Sequence, residues 1–151
     1  KYFSMTGWRL GWMVVPTDMI RSVECLTQNF FVSPPSLSQK AAAGAFDCMQ
    51  ELNHHVSQYR VNRDLLLNEL PKARLEKFAP VDGAFYIYTD VSHLTDDSST
   101  FCKNMLDEIG VAMTPGIDFD AVRGKSFVRL CFAGAHKDIH QAAIRLKKWL
   151  A

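Results

Sequence analysis

The stretch Lys1-Tyr2-Phe3-Ser4-Met5-Thr6-Gly7-Trp8-Arg9-Leu10-Gly11-Trp12, continued by Met13-Val14-Val15-Pro16, sets two cations in an otherwise uncharged, glycine-punctuated run. Residues 8–15 form a short apolar segment closed by a proline, which predicts a mostly buried strand. Alternation along such a strand puts Trp8, Leu10 and Trp12 on one side and Arg9, Gly11 and Met13 on the other. A guanidinium is rarely buried without an anionic partner, and the neighbouring Gly11 lets a ligand or another backbone approach closely. From the residues alone two readings stay open: Arg9 meets an anion, or it sits at a strand edge and reaches water.

A second arginine lies in the apolar run Ser126-Phe127-Val128-Arg129-Leu130-Cys131-Phe132-Ala133. Its planar fork suits a carboxylate or phosphate, gripped through two parallel hydrogen bonds. An internal Asp or Glu partner is the competing explanation.

Between the two arginines the pattern alternates. Thr17 reads as an N-cap with Asp18 in the first turn, and Ile20, Val23 and Phe30 mark the apolar face of a helix that Ser33-Pro34-Pro35 breaks. Helical spacing then continues from residue 36 to about 70, through Met49, Leu52, Val56, Tyr59, Leu66 and Leu70, until Pro71. A strand is expected over residues 84–91 and a helix over 100–109 closed by Gly110 in a left-handed conformation. A short strand follows at 111–113, then a loop through 114–126, the Arg129 strand, and a last helix whose core stripe is Ile139, Ala143, Leu146 and Leu150. Residues from about 55 onward therefore read as a self-contained α+β unit with Arg129 on a central strand.

Bulk properties exclude some classes. The 151 residues are 48% hydrophobic and 22% charged with a formal net charge of +1, ordinary for a soluble globular protein, and they give no electrostatic case for nucleic acid or membrane partners. Cys25, Cys48, Cys102 and Cys131 are spread out and read as reduced core thiols of a cytoplasmic protein. His54-His55 and the pair His136 and His140 lack the cysteines or carboxylates that complete a metal site, so no metal is expected.

Lys1, five residues, then Gly7-x-Arg9-x-Gly11 resembles the cofactor-lysine signature of the class I and II, fold-type I aminotransferases, and Ser4-Met5-Thr6-Gly7-Trp8-Arg9 is similar to the aspartate-aminotransferase-like branch. The block around Arg129 resembles the family's aromatic-or-Val, x, Arg, Leu-or-Ile segment. Three further landmarks follow the family's order: Asp82-Gly83-Ala84-Phe85-Tyr86, then Val111-Ala112-Met113-Thr114-Pro115-Gly116 with Phe119, and Ser33-Pro34-Pro35-Ser36 with Gln39. One departure is Asp120, where the family usually has glycine.

The resemblance implies an α/β parent fold with pyridoxal 5'-phosphate as cofactor. Lys1 would form the Schiff base with the cofactor aldehyde, Arg9 would hold its phosphate, and Arg129 would bind the substrate α-carboxylate. It further implies that residues 1–50 are a remnant of a large cofactor domain, that 51–151 are the small α+β domain, that the helical pattern over 36–70 is one helix leaving the large domain near residue 50 and a second long helix spanning the junction, and that the parent is a homodimer transferring an amino group between an α-amino acid and a 2-oxo acid. On this reading the isolated chain is inactive, carries no cofactor, and self-associates through Trp8, Trp12, Phe30 and Phe31. A carbon–sulfur lyase of the same fold keeps the same lysine and arginines. An interaction domain with Arg129 paired internally is the non-catalytic alternative.

Overall fold

In the computed structural model, which describes residues 1–151, the chain divides into two compact units, Lys1–Val56 and Ser57–Ala151. The division falls inside the longest helix.

The first unit is helical. A short turn at Thr17–Met19 leads into α1 (Ile20–Phe30), and α2 (Ser36–Ala45) precedes α3 (Met49–Glu69), whose first turns complete the unit. The Ser33-Pro34-Pro35 break stands as expected, because proline removes an amide donor and crowds the preceding turn. The predicted Thr17 cap does not: Thr17 is inside the turn, Pro16 precedes it, and no side chain caps either helical start. The helical pattern over residues 36–70 is divided between two helices, with a break close to residue 50 as the resemblance implies; they part at Phe46-Asp47-Cys48, where the Asp47 and Cys48 amides donate to the Gly44 and Ala45 carbonyls.

The strand expected over residues 8–15 is not formed. Thr6–Trp8 is a 3-10 turn, and residues 10–16 carry no regular structure. A strand exists only by bonding to a neighbour, and this unit contains no strand. Trp12 is consequently 71% exposed and Val14 88%.

The second unit is built on a three-stranded antiparallel sheet of order β1 (Tyr86–Asp90), β3 (Phe127–Cys131), β2 (Thr114–Pro115). Arg129 is in the central strand, opposite Tyr88 on one side and Thr114 on the other. The short strand expected at 111–113 lies two to three residues later, at Thr114–Pro115. With a side-chain period of two, Ile87, Thr89, Val128 and Leu130 face inward and are buried, while Tyr86, Tyr88, Arg129 and Cys131 share the opposite face. The inward face packs with α4 (Ser98–Ile109), α5 (His136–Trp149) and the last turns of α3, through Leu66, Leu70, Met105, Ala143, Leu146 and Leu150. Each of the leucine and methionine side chains contributes roughly 1.5–3 kcal/mol by leaving water.

Caps explain the helix limits here. Asp97 accepts from the Ser99 and Thr100 amides at the start of α4, and Gly110 ends it at φ 64°, a left-handed conformation in which a side chain is strained. Only Cys102 of the four free cysteines is buried, and burial pushes its thiol up to about 11. Cys25 is half-buried, Cys48 is exposed in the α2–α3 turn, and Cys131 is exposed on the outward sheet face, so the core-thiol expectation fails for all but Cys102.

Candidate active site

The first predicted cluster gathers in the N-terminal unit. Ser4 closes a turn onto the Lys1 carbonyl at 3.0 Å, and the 3-10 turn that follows ends at Arg9 with φ 54°. A non-glycine residue in this left-handed region is held against about 1–2 kcal/mol of strain. Arg9 Nη1 donates to the Thr6 carbonyl at 3.1 Å, which folds the side chain back over its own turn. The guanidinium makes no ion pair with any carboxylate.

Lys1 and Arg9 line one cavity of about 600 Å³ together with Phe3, Thr6, Gly11, Trp12 and Phe46. Its wall is set from α2 and α3: Phe3 meets Phe46 edge-on at 5.1 Å, and the Tyr2 hydroxyl donates to Asn53 Oδ1 at 2.8 Å. Arg9 also borders a hollow with Pro35 and the buried Ser38, where the Ser33-Pro34-Pro35-Ser36 segment passes. An amine and an unpaired cation thus share an open, part-apolar chamber, a donor set suited to a ligand that carries both a carbonyl and an anionic group.

The second cluster lies wholly within the C-terminal unit. The Arg129 guanidinium carbon sits 4.2 Å from the centre of the Tyr86 ring and 4.2 Å from that of Phe119. Nη2 reaches Thr114 Oγ1 at 3.4 Å, and Nε is buried with no hydrogen-bond partner. No Asp or Glu pairs with it, so the internal-partner explanation left open from the sequence does not hold.

Neighbouring aromatics extend this face. Tyr88 stacks on Phe127 at 5.0 Å and 7°, and its hydroxyl is buried and unpartnered; desolvation pushes its pKa above the ordinary phenol value, with the Asp120 charge adding to the shift. Phe119 is carried by the loop after β2. Asp120 next to it accepts from the Arg123 and Val122 amides at 3.0 and 2.9 Å and from Arg123 Nε at 3.1 Å. Those hydrogen bonds, the Arg123 amide first, draw the Asp120 carboxyl below the usual range.

The structure therefore brings Lys1 and Arg9 to one cavity and gives Arg129 an aromatic setting of its own. Phe119 and Tyr86 were within family landmarks, yet their contact with Arg129 carried no local sequence signal. His136, set aside as a metal ligand, pairs through Nδ1 with Asn62 Oδ1 at 2.9 Å.

The description "Aminotransferase class I and II" belongs to the family whose model matches residues 1–146. The chain is 51% identical to the valine–pyruvate aminotransferase of Mycobacterium tuberculosis, over 99% of this chain and 39% of that protein. It is 32% identical to an aspartate aminotransferase of Sulfurisphaera tokodaii, again over 99% of this chain and 39% of the other. Among solved structures, an aminotransferase from Mycobacterium tuberculosis superposes with TM-score 0.93 at 51% identity, covering 99% of this chain and 39% of that one. The aromatic aminotransferase of Pyrococcus horikoshii OT3 gives 0.81 at 30% identity, covering 99% and 40%. The chain spans about two fifths of the length of these relatives. No helix is long and apolar enough to cross a membrane.

Proposed function

Because the chain belongs to the class I and II aminotransferases, we propose that it supplies the lysine and both arginines of an enzyme that moves an amino group between an α-amino acid and a 2-oxo acid. The observation that carries this reading is Arg129: a cation on a central strand, with a buried Nε lacking any partner and no carboxylate beside it. An uncompensated buried donor is costly by about 1–3 kcal/mol, and a bound α-carboxylate answers it.

The family uses pyridoxal 5'-phosphate, and the residues present fit that group. Lys1 offers an amine for its aldehyde, and Arg9, free of any ion pair and lining the same cavity, offers a cation for its phosphate. When bound, the cofactor supplies an electron sink for the substrate's Cα. Lys1 Nζ acts as nucleophile and then as the base that takes the proton from the substrate Cα. Arg129 fixes the carboxylate and so the direction in which that C–H bond points.

The 51% likeness to a valine–pyruvate aminotransferase, against 32% for aspartate aminotransferases, puts donors with apolar side chains ahead of the acidic ones suggested by the Ser4–Arg9 resemblance. A cytoplasmic homodimer is the assembly proposed for the complete enzyme.

The test is an assay of the full-length protein carrying this sequence, with valine, alanine and aspartate as donors to pyruvate and 2-oxoglutarate. Lys1→Ala is expected to abolish transfer, and Arg129→Lys to raise the Michaelis constant roughly 10- to 100-fold, the worth of charged hydrogen bonds. Release of ammonia and pyruvate from β-substituted donors, with no transfer, would instead establish the lyase reading.

A further inference from the structure

We infer that Tyr86 and Phe119 are positioning residues for Arg129, holding its guanidinium by ring contact so that its charge and its in-plane donors remain available to a carboxylate. This rests on the reading of Arg129 as the carboxylate receptor and adds how the fold keeps that receptor ready.

A buried arginine is ordinarily oriented by an Asp or Glu, which fixes the side chain but occupies its N–H groups and neutralises it. Here the orienting groups are two π faces, each with its centre 4.2 Å from the guanidinium carbon. A ring attracts the cation through its quadrupole and accepts none of the in-plane N–H bonds. The remaining contact is the long 3.4 Å bond from Nη2 to Thr114 Oγ1. The cation is thereby ordered without being used up.

The two rings are mounted differently. Tyr86 is fixed by the sheet, in register with Cys131 on β3. Phe119 belongs to the loop after β2 and depends on how that loop closes. A Cβ on Gly116 would stand 2.5 Å from the Gly124 carbonyl oxygen, so the two backbones meet where only glycine fits. The buried Ser98 hydroxyl donates to the same Gly124 oxygen at 3.0 Å. The Phe119 amide bonds back to Gly116 O at 2.9 Å, and Asp120 ties Val122 and Arg123 to the turn. Phe119, 52% exposed, is thus held over Arg129 from behind by the loop rather than by burial of its own ring.

The experiment follows the Arg129 Nε–H signal by ¹⁵N NMR in the 151-residue chain, without ligand and during titration with pyruvate, with uncharged methyl pyruvate as control. In the wild type, pyruvate and not methyl pyruvate is expected to shift the signal. Phe119→Leu is expected to lower the Nε order parameter and weaken pyruvate binding roughly five- to tenfold, the worth of one partly desolvated cation–π contact. Phe119→Tyr is expected to restore both, and Val122→Ala, in the same loop at 81% exposure, to change neither. Tyr86→Leu provides the second variant, on the sheet side, with amide spectra reporting the fold in each case. Unchanged order and affinity in both leucine variants would overturn the inference. A wild-type signal indifferent to pyruvate would sink the carboxylate reading of Arg129, while the ligand-free order parameters would still decide whether the rings hold it.

Discussion

Residues 1–56 and 57–151 contain the same kinds of apolar side chain at comparable helical and strand-like spacings, yet treat them in opposite ways. In the second unit Leu70, Met105 and Leu146 are at most 1% exposed, whereas in the first Trp12, Val14 and Phe30 are 71%, 88% and 78% exposed. Leu52 is the one buried apolar side chain of the first unit. Periodicity identifies a face that favours burial; what covers it is a separate, long-range fact. The core of 57–151 meets its partners within one sheet and three helices, while 8–15 has no strand to join and 20–30 shows its apolar face to solvent.

The sharpest way to break this contrast is truncation on each side of it. Leu146→Ala is expected to cost about 3 kcal/mol, as buried leucines do, and Val14→Ala to stay within about 0.5 kcal/mol, both read from urea denaturation. A comparable loss at Val14 would mean that this face is covered in solution and the contrast false.

Glycines give a second, smaller comparison. Gly124 has no room for a Cβ against Gly116, so Gly124→Ala is expected to destabilise by about 1–3 kcal/mol. Gly44, inside α2 with nothing within 4 Å of an added Cβ, is expected to gain about 0.5–1 kcal/mol on mutation to alanine. Opposite signs in thermal melts would locate the tight backbone packing in the second unit.

The smallest effect separates capped from uncapped helices. The Thr100 hydroxyl and the amides of α4 hold the Asp97 carboxyl below its ordinary value. Its stabilising contribution is therefore present above the unfolded carboxylate pKa, about 3.9, and is lost as pH falls through the lower folded value. Asp97→Ala is expected to weaken the fold at pH 7, with the deficit shrinking on acidification below about pH 4. A deficit independent of pH would show that the charge is not what caps α4. The start of α1, with no side-chain cap, has no counterpart to this response.

Features encoded locally were readable from the residues. Gly110, the proline break at Ser33-Pro34-Pro35, the α5 stripe and the strand around Arg129 each rest on neighbours a few positions away. The failures share one cause. A strand over 8–15 required a ladder partner, and the place of β2 is decided by its pairing with β3. The same division runs through the candidate site. Arg129 stood out because its immediate neighbours are apolar, whereas Tyr86 and Phe119 reach it from other elements, and their spacing along the chain says nothing of that meeting.

Asn62 is fully buried beside the end of β3. Its amide nitrogen donates to the Phe132 and Gly134 carbonyls at 3.0 and 2.9 Å, and its oxygen faces His136 Nδ1 at 2.9 Å. Because both N–H groups go to carbonyls, the amide has only one chemically sensible orientation, and the His136 proton belongs on Nδ1. The link from β3 to α5 is therefore pinned by the difference between a nitrogen and an oxygen. Hydrolytic deamidation at Asn62, an ageing reaction that exchanges just that atom, would turn two donated bonds into a carboxylate facing two carbonyl oxygens and loosen the turn immediately beyond the Arg129 strand.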